Sequence, residues 1–106
     1  MKRKTVSLIV LNYNGRELLK DYFDSVYNQT MKPDEIIMFD NLCTDGSRKY
    51  VRENYPDVKI VAEDRFNTGT ALAYNIAISV AKGDFVIISA NDIVWRKIVS
   101  NIFMRR

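Results

Sequence analysis

Thr5-Val6-Ser7-Leu8-Ile9-Val10-Leu11, followed at once by Asn12-Tyr13-Asn14-Gly15, is the stretch on which the fold turns. A mostly aliphatic, β-branched run without polar alternation reads as a strand covered on both faces. The Asn-rich break ends that strand. Asn14, followed three residues later by Glu17, has the spacing of a capping box that would open a helix. Leu18, Leu19, Tyr22, Phe23, Val26 and Tyr27 then recur at helical spacing, and the helix is expected to end before Pro33.

The alternation repeats down the chain. Glu35–Phe39 (EIIMF) is a second apolar run, closed by Asp40. Thr44 is placed to cap a helix carrying Tyr50, Val51 and Tyr55 as its apolar stripe, up to Pro56. Val58–Ala62 reads as a third strand. Residues 70–82 read as a helix with Leu72, Ile76 and Val80 four apart, stopped by Gly83, and Asp84–Ser89 is a fourth strand. The order β-α-β-α-β-α-β predicts the α/β class. The expected form is a three-layer α/β/α, Rossmann-like arrangement on a mostly parallel sheet with right-handed crossovers. With 106 residues, no linker and no repeat, the chain is expected to form one unit.

Composition narrows the chemistry. The chain has no His and one Cys, which removes an intramolecular disulfide, His/Cys zinc sites and His-activated nucleophiles. Any metal must be a hard cation held by oxygen. The cysteine usage fits a reducing cytoplasm, and no apolar run approaches the ~18–20 residues of a membrane-spanning helix. A signal peptide is not expected, because the apolar stretch behind the basic N-terminus is only Val6–Leu11. The net charge of +3 is uneven: Lys2, Arg3, Lys4, Arg96, Lys97, Arg105 and Arg106 crowd the ends, leaving residues 5–95 acidic overall. A body that repels phosphate argues against nucleic acid as the partner.

In an open α/β sheet, ligands bind outside the carboxyl ends of the strands, near the point where strand order reverses. The residues to read are therefore Asn12-Tyr13-Asn14, Asp40-Asn41 and Ala90-Asn91-Asp92. Neither G-x-x-x-x-G-K-[ST] nor G-x-G-x-x-G is present, which disfavours a P-loop NTPase or a dinucleotide oxidoreductase. A nucleotide diphosphate on such a sheet would need a divalent cation held by carboxylate.

Four segments, in this order and spacing, carry a family resemblance: VSLIVLNYNG (6–15), NQTMKPDEIIMFDNLCTDGS (28–47), NTGTALAYNIAISVAKGDF (67–85) and VIISANDIVW (86–95). The chain resembles the N-terminal, nucleotide-sugar-binding half of family-2-type glycosyltransferases with the GT-A fold, from Val6 to about Val94. The resemblance implies a single GT-A-like unit over 1–106 that is only the donor-binding part of such an enzyme. It implies that Asn12, Tyr13 and Asn14 lie by the nucleotide base and that Asp40 accepts a hydrogen bond from the base edge, typically uracil. Asn67, Gly69 and Asn75 match the stretch near the nucleotide sugar. Asp92 matches the second acid of the D-x-D motif, which holds Mn²⁺ or Mg²⁺ against the diphosphate of the donor, a UDP-sugar being favoured.

The departures are as informative. The first D-x-D position falls on Ala90, where Asn91 alongside is a partial replacement, and Cys43 stands where Ser is usual. Cys43 is read as a tolerated loop residue rather than a nucleophile. The carboxylate base of the inverting members lies well downstream of D-x-D, and only fourteen residues follow Asp92. Two readings result: a metal-dependent, inverting glycosyltransferase transferring a sugar to an unknown acceptor, or a non-catalytic nucleotide-sugar-binding module acting as a homo-oligomer or with a partner subunit. Trp95–Arg106 reads as a short helix with Ile98, Val99, Ile102 and Phe103 on one face and basic residues around it. It covers the sheet or makes a weak contact with an anionic surface at the inner face of a membrane.

Overall fold

A computed structural model describes residues 3–94. The chain runs β1 (Val6–Asn12), α1 (Arg16–Tyr27), β2 (Glu35–Asn41), α2 (Ser47–Asn54), β3 (Lys59–Glu63), α3 (Thr70–Val80) and β4 (Phe85–Ala90). All three strand pairings are parallel, in the order β3-β2-β1-β4. The elements expected from Thr5 to Ser89 are all present, but the strands run further toward their carboxyl ends than the apolar runs indicate. That extension places Asn12, Asp40, Asn41 and Ala90 inside the sheet's last rungs, where Asn12 pairs in register with Asp40 and Leu11 with Ala90.

Strand β1 is covered on both faces. Leu8 and Val10 pack with Ile36 and Met38 under α1 and α2, against Leu19, Tyr22, Phe23, Val26 and Val51. Ile9, with Ile37 and Phe39, packs under α3 against Ala73 and Ala77. Full burial of each of these larger side chains is worth about 1.5–3 kcal/mol, so the two central strands carry most of the core. Of the expected α3 stripe, Ile76 and Val80 are partly buried against this cluster and Leu72 is not. Alanines 73 and 77 are fully buried, whereas Leu72 is 46% exposed.

Neither expected side-chain cap forms. Gly15 precedes α1, and the Asn14 side chain instead accepts the Thr44 N–H at 2.8 Å across the neighbouring loop. Gly46, in the left-handed region at φ 82°, precedes α2 in place of Thr44. One residue serves both helices: Asp45 accepts the Arg16 N–H at 2.9 Å through Oδ2 and the Ser47 N–H at 3.0 Å through Oδ1. Sequence spacing finds caps within one helix and is blind to a cap that arrives from another loop.

The return to β4 is fixed at the opposite edge. Glu35 Oε1 accepts from Ser7 Oγ at 2.7 Å and from the Lys82 N–H at 2.8 Å, while the Gly83 N–H donates to Ser7 Oγ at 2.9 Å. A Cβ on Gly83 would stand 2.6 Å from Ser7 Oγ and 2.7 Å from the Ser7 backbone nitrogen, so glycine is required for β4 to enter beside β1. Strand order therefore reverses between β1 and β4, and the crevice of interest lies at their carboxyl ends.

Candidate functional site

Asn12, buried at the end of β1, is the hub of that crevice. Its Oδ1 accepts the Gly15 N–H at 3.2 Å and the Asn91 side-chain N–H at 2.9 Å. Its Nδ2 lies 3.5 Å from Asp40 Oδ1 and 3.4 Å from Cys43 Sγ. One amide thus joins β1, β2 and the residue that follows β4. Gly15 is confined by the same cluster: a Cβ there would meet Asn91 Nδ2 at 2.2 Å and Asn12 Oδ1 at 2.7 Å.

Asp40 is buried at the end of β2. Its Oδ2 accepts from Arg48 Nε at 2.8 Å, and the same guanidinium holds Asp64 through Nη1 at 3.3 Å and Nη2 at 2.5 Å. Asp64 and Asp40 together push the Arg48 pKa well above the usual arginine value, so it stays charged throughout. Asn41, next to Asp40, donates to Asn67 Oδ1 at 3.1 Å and accepts the Thr68 N–H at 3.0 Å, while Asn67 Oδ1 also accepts the Gly69 N–H at 2.8 Å. This chain of amides shapes the loop into α3, where Gly69 has φ 78° and ψ 166°, a conformation reserved for glycine.

Cys43 is a loop tie. Its Sγ receives the Asn14 N–H at 3.2 Å and lies 3.3 Å from the Asn12 carbonyl oxygen, to which the thiol donates. Burial, reinforced by the neighbouring Asp40, pushes the thiol up to about 12, so it is protonated at neutral pH and has no nucleophilic character.

The structure therefore brings Asn12, Asn14, Asp40, Asn67, Gly69 and Asn91 into one hydrogen-bonded frame. Tyr13, 57% exposed, stands at its rim. Asp92 follows directly after Asn91 and is exposed. Asn75 lies on the exposed side of α3, and among the described residues no hydrogen bond joins it to this frame. Sequence reading overlooked Arg48 and Asp64. The available signal was weak: an arginine in the first turn of the helix leading away from the end of β2. The segment Trp95–Arg106 lies outside the described residues. A surface hollow of about 430 Å³, lined by Tyr27, Tyr55, Asp24 and Asp57 among others, sits where α1 and α2 end, at the other edge of the sheet.

For a divalent cation the candidate ligand among the described residues is the exposed carboxylate of Asp92. Among the described residues no three acidic or cysteine side chains converge, so Asp92 is not part of a protein-only cage. Its exposure suits the other mode, in which Mg²⁺ or Mn²⁺ is held by one or two carboxylates and completes its shell with phosphate oxygens and water. On that donor set the residues fit an ion shared with a diphosphate.

The sequence model described as glycosyl transferase family 2 matches residues 7–99. The chain belongs to this family. Among family 2 relatives, TuaG of Bacillus subtilis, named for a glycosyltransferase of teichuronic acid biosynthesis, is 34% identical over 94 residues, covering 87% of this chain and 37% of that protein. The mannosyltransferase PcManGT of Pyrobaculum calidifontis, solved with GDP-Man and Mn²⁺, superposes with a TM-score of 0.80 at 33% identity, over 91% of this chain and 30% of that one. S. aureus TarS 1-349 with UDP-GlcNAc superposes at 0.82 with 23% identity, a likeness of fold alone. The chain thus has the family's α/β, GT-A fold and spans about a third of these proteins.

Proposed function

We propose that this chain carries the donor-binding part of a glycosyltransferase that takes a nucleotide-diphosphate sugar, a UDP-sugar being favoured, and transfers the sugar with inversion to an acceptor hydroxyl. The observation that carries this reading is the convergence of Asn12, Asp40 and Asn91 where strand order reverses, with Tyr13 and Asp92 at its rim. The GDP-Man bound to PcManGT supports the same ligand class.

Tyr13 offers its ring to the base, and Asp40, an acceptor, faces a ring N–H. The loop Asn67–Gly69 lies toward the nucleotide sugar, with Asn75 further along the same helix. Asp92, with Asn91 beside it, would hold Mn²⁺ or Mg²⁺; when bound, the ion supplies a Lewis acid for the charge that develops on the departing diphosphate. In the transfer the acceptor oxygen attacks the anomeric carbon as the carbon–oxygen bond to the diphosphate breaks, and the acceptor proton goes to a base. No residue of this chain is assigned as that base. Because Ala90 stands at the first D-x-D position and no base is assigned, a nucleotide-sugar-binding subunit is the second reading.

Calorimetric titration with UDP-glucose and GDP-mannose, with and without Mn²⁺, tests the proposal on the wild type and on Asp92→Asn. The proposal predicts binding that Mn²⁺ strengthens in the wild type, with that gain reduced roughly tenfold or more in the variant. No binding under any condition would overturn it. Release of UDP or GDP from the bound donor in the presence of acceptor extracts separates transferase from binding subunit.

A further inference from the structure

Two adjoining hollows, of about 430 and 420 Å³, lie at the edge of the sheet opposite the donor crevice, and Tyr27 and Asp57 line both. The first is walled by Tyr27 and Tyr55, whose rings stack in parallel with centroids 5.8 Å apart. Both α1 and α2 end at it, at Tyr27 and Asn54, so the negative ends of two helix dipoles face it. Of the two last turns, only that of α2 carries a basic residue, Arg52. Four carboxylates line the two hollows, and three are already paired: Asp24 with Lys20 at 2.7 Å, Asp34 with Arg3 at 2.6 Å and Glu35 with Lys59 at 3.7 Å. Asp57, exposed in the turn after α2, has no ion pair among the described residues. Burial, and after it the negative charge of Asp57, raise the Tyr27 hydroxyl above its ordinary value, so ring and carboxylate stand within electrostatic reach. Lys32 lines only the second hollow; among the described residues the first has no basic side chain in its lining.

An aromatic wall beside an uncompensated carboxylate selects an organic cation. The same ring cluster already holds one guanidinium: Arg16 Cζ lies 3.6 Å from the centroid of the Tyr50 ring, which meets Tyr55 edge-on. A guanidinium is planar and weakly hydrated, so it stacks on a ring while its N–H fork meets a carboxylate. The compact, strongly hydrated ammonium of lysine does this less well. We propose that the first hollow docks an arginine side chain presented by a partner polypeptide, with the guanidinium against Tyr27 and paired with Asp57. The second hollow continues from the first through these two residues and gives the flanking peptide backbone a trough to lie in. The chain as a whole has a net charge of +3 and repels basic peptides at long range, so the attraction is local to this acidic, aromatic surface. A partner seated here leaves the donor crevice open.

The test is amide NMR of the ¹⁵N-labelled full chain titrated with the end-blocked peptides Gly-Arg-Gly and Gly-Lys-Gly and with free arginine. The arginine peptide is expected to shift the amides of Tyr27, Asn28, Tyr55 and Asp57 and to leave those of the donor crevice in place. The lysine peptide and free arginine are each expected to bind about threefold or more weakly. Asp57→Asn and Tyr27→Leu should each weaken the arginine peptide by about threefold or more, whereas Glu53→Gln, which removes an exposed carboxylate outside the hollow, should not. If Tyr27→Leu does not fold, Asp57→Asn decides, since asparagine suits an exposed turn. Absence of shifts at these amides, an affinity unchanged in Asp57→Asn, or equal losses in Asp57→Asn and Glu53→Gln would overturn the proposal. Free arginine binding as tightly as the peptide would overturn the polypeptide partner in favour of a small cation. None of these outcomes alters the donor-site reading, which is tested by nucleotide at the opposite edge of the sheet.

Discussion

Asn91 donates its side-chain amide to Asn12 Oδ1 at 2.9 Å, tying the residue after β4 to the end of β1 where the strand order reverses. The same Asn12 oxygen also receives the Gly15 N–H, so one acceptor joins the ends of β1 and β4 to the start of α1. Gly15 therefore faces a wall made of the site itself.

Gly15→Ala places a methyl 2.2 Å from Asn91 Nδ2. Overpacking of this kind costs about 1–3 kcal/mol, and here the strain falls on the amide pair. Urea denaturation should show a loss in that range, and nucleotide affinity should fall with it. A variant as stable as the wild type would show that Asn91 moves freely and does not set the crevice.

Asp45 binds the N-termini of two helices, and its carboxyl is held below the ordinary value of 3.8: burial would raise it, but hydrogen bonds from Ser47 and from the Arg16 N–H outweigh that effect. A depressed folded pKa stabilises the fold fully above the unfolded value and loses that contribution as pH falls through the folded value. Asp45 is exposed, so its capping contribution should be about 1 kcal/mol, within the usual range for a helix cap. Urea midpoints of Asp45→Asn should lie below the wild type at pH 7 and converge with it as pH falls through the depressed folded pKa of Asp45. A gap that persists at low pH would point to packing rather than charge.

Cys43, pushed up to about 12, should resist thiol reagents. At pH 8 its thiolate fraction is about 10⁻⁴, against a sizeable fraction for a free thiol near pKa 8.5. Reaction with a disulfide reagent should be at least ten times slower in the folded protein than in guanidinium chloride. Equal rates would mean the loop opens faster than the reagent reacts. Cys43→Ser should bind nucleotide as the wild type does, since no step assigned to this site uses sulfur.

Ala90→Asp puts an acid at the end of β4, two residues before Asp92. A second carboxylate raises ligand charge, so apparent Mn²⁺ affinity in the presence of UDP should rise several-fold. Isothermal titration of Mn²⁺ into the UDP-bound variant and wild type checks this. No gain would indicate that Asp92 does not face the diphosphate.

The order of elements was legible because β-branched runs such as Ile9-Val10 and Ile36-Ile37 have no other comfortable place than a covered strand. The site's location followed from strand ends rather than from any one motif, and Asn12, Asp40 and Asn91 do meet there. Pairings across the sheet were not legible. Nothing in local spacing says that Asp45 caps a helix starting at Arg16, or that Arg48 bridges Asp40 and Asp64, because those contacts depend on how loops from different strands come together. The α3 stripe was legible in part: Ile76 and Val80 pack on the core, but Leu72 and Ala73 are adjacent, and the rotation of the helix on the sheet, which local spacing does not give, decides which lies inside.

The most direct test of the central claim is amide NMR of the ¹⁵N-labelled chain titrated with UDP, first with Mg²⁺ and then with trace Mn²⁺. The account predicts shift changes confined to Asn12–Gly15, Asp40–Asn41, Asn67–Gly69 and Asn91–Asp92, with paramagnetic broadening centred on Asp92. Changes centred instead on Tyr27, Tyr55 and Asp57, at the opposite edge of the sheet, would contradict it.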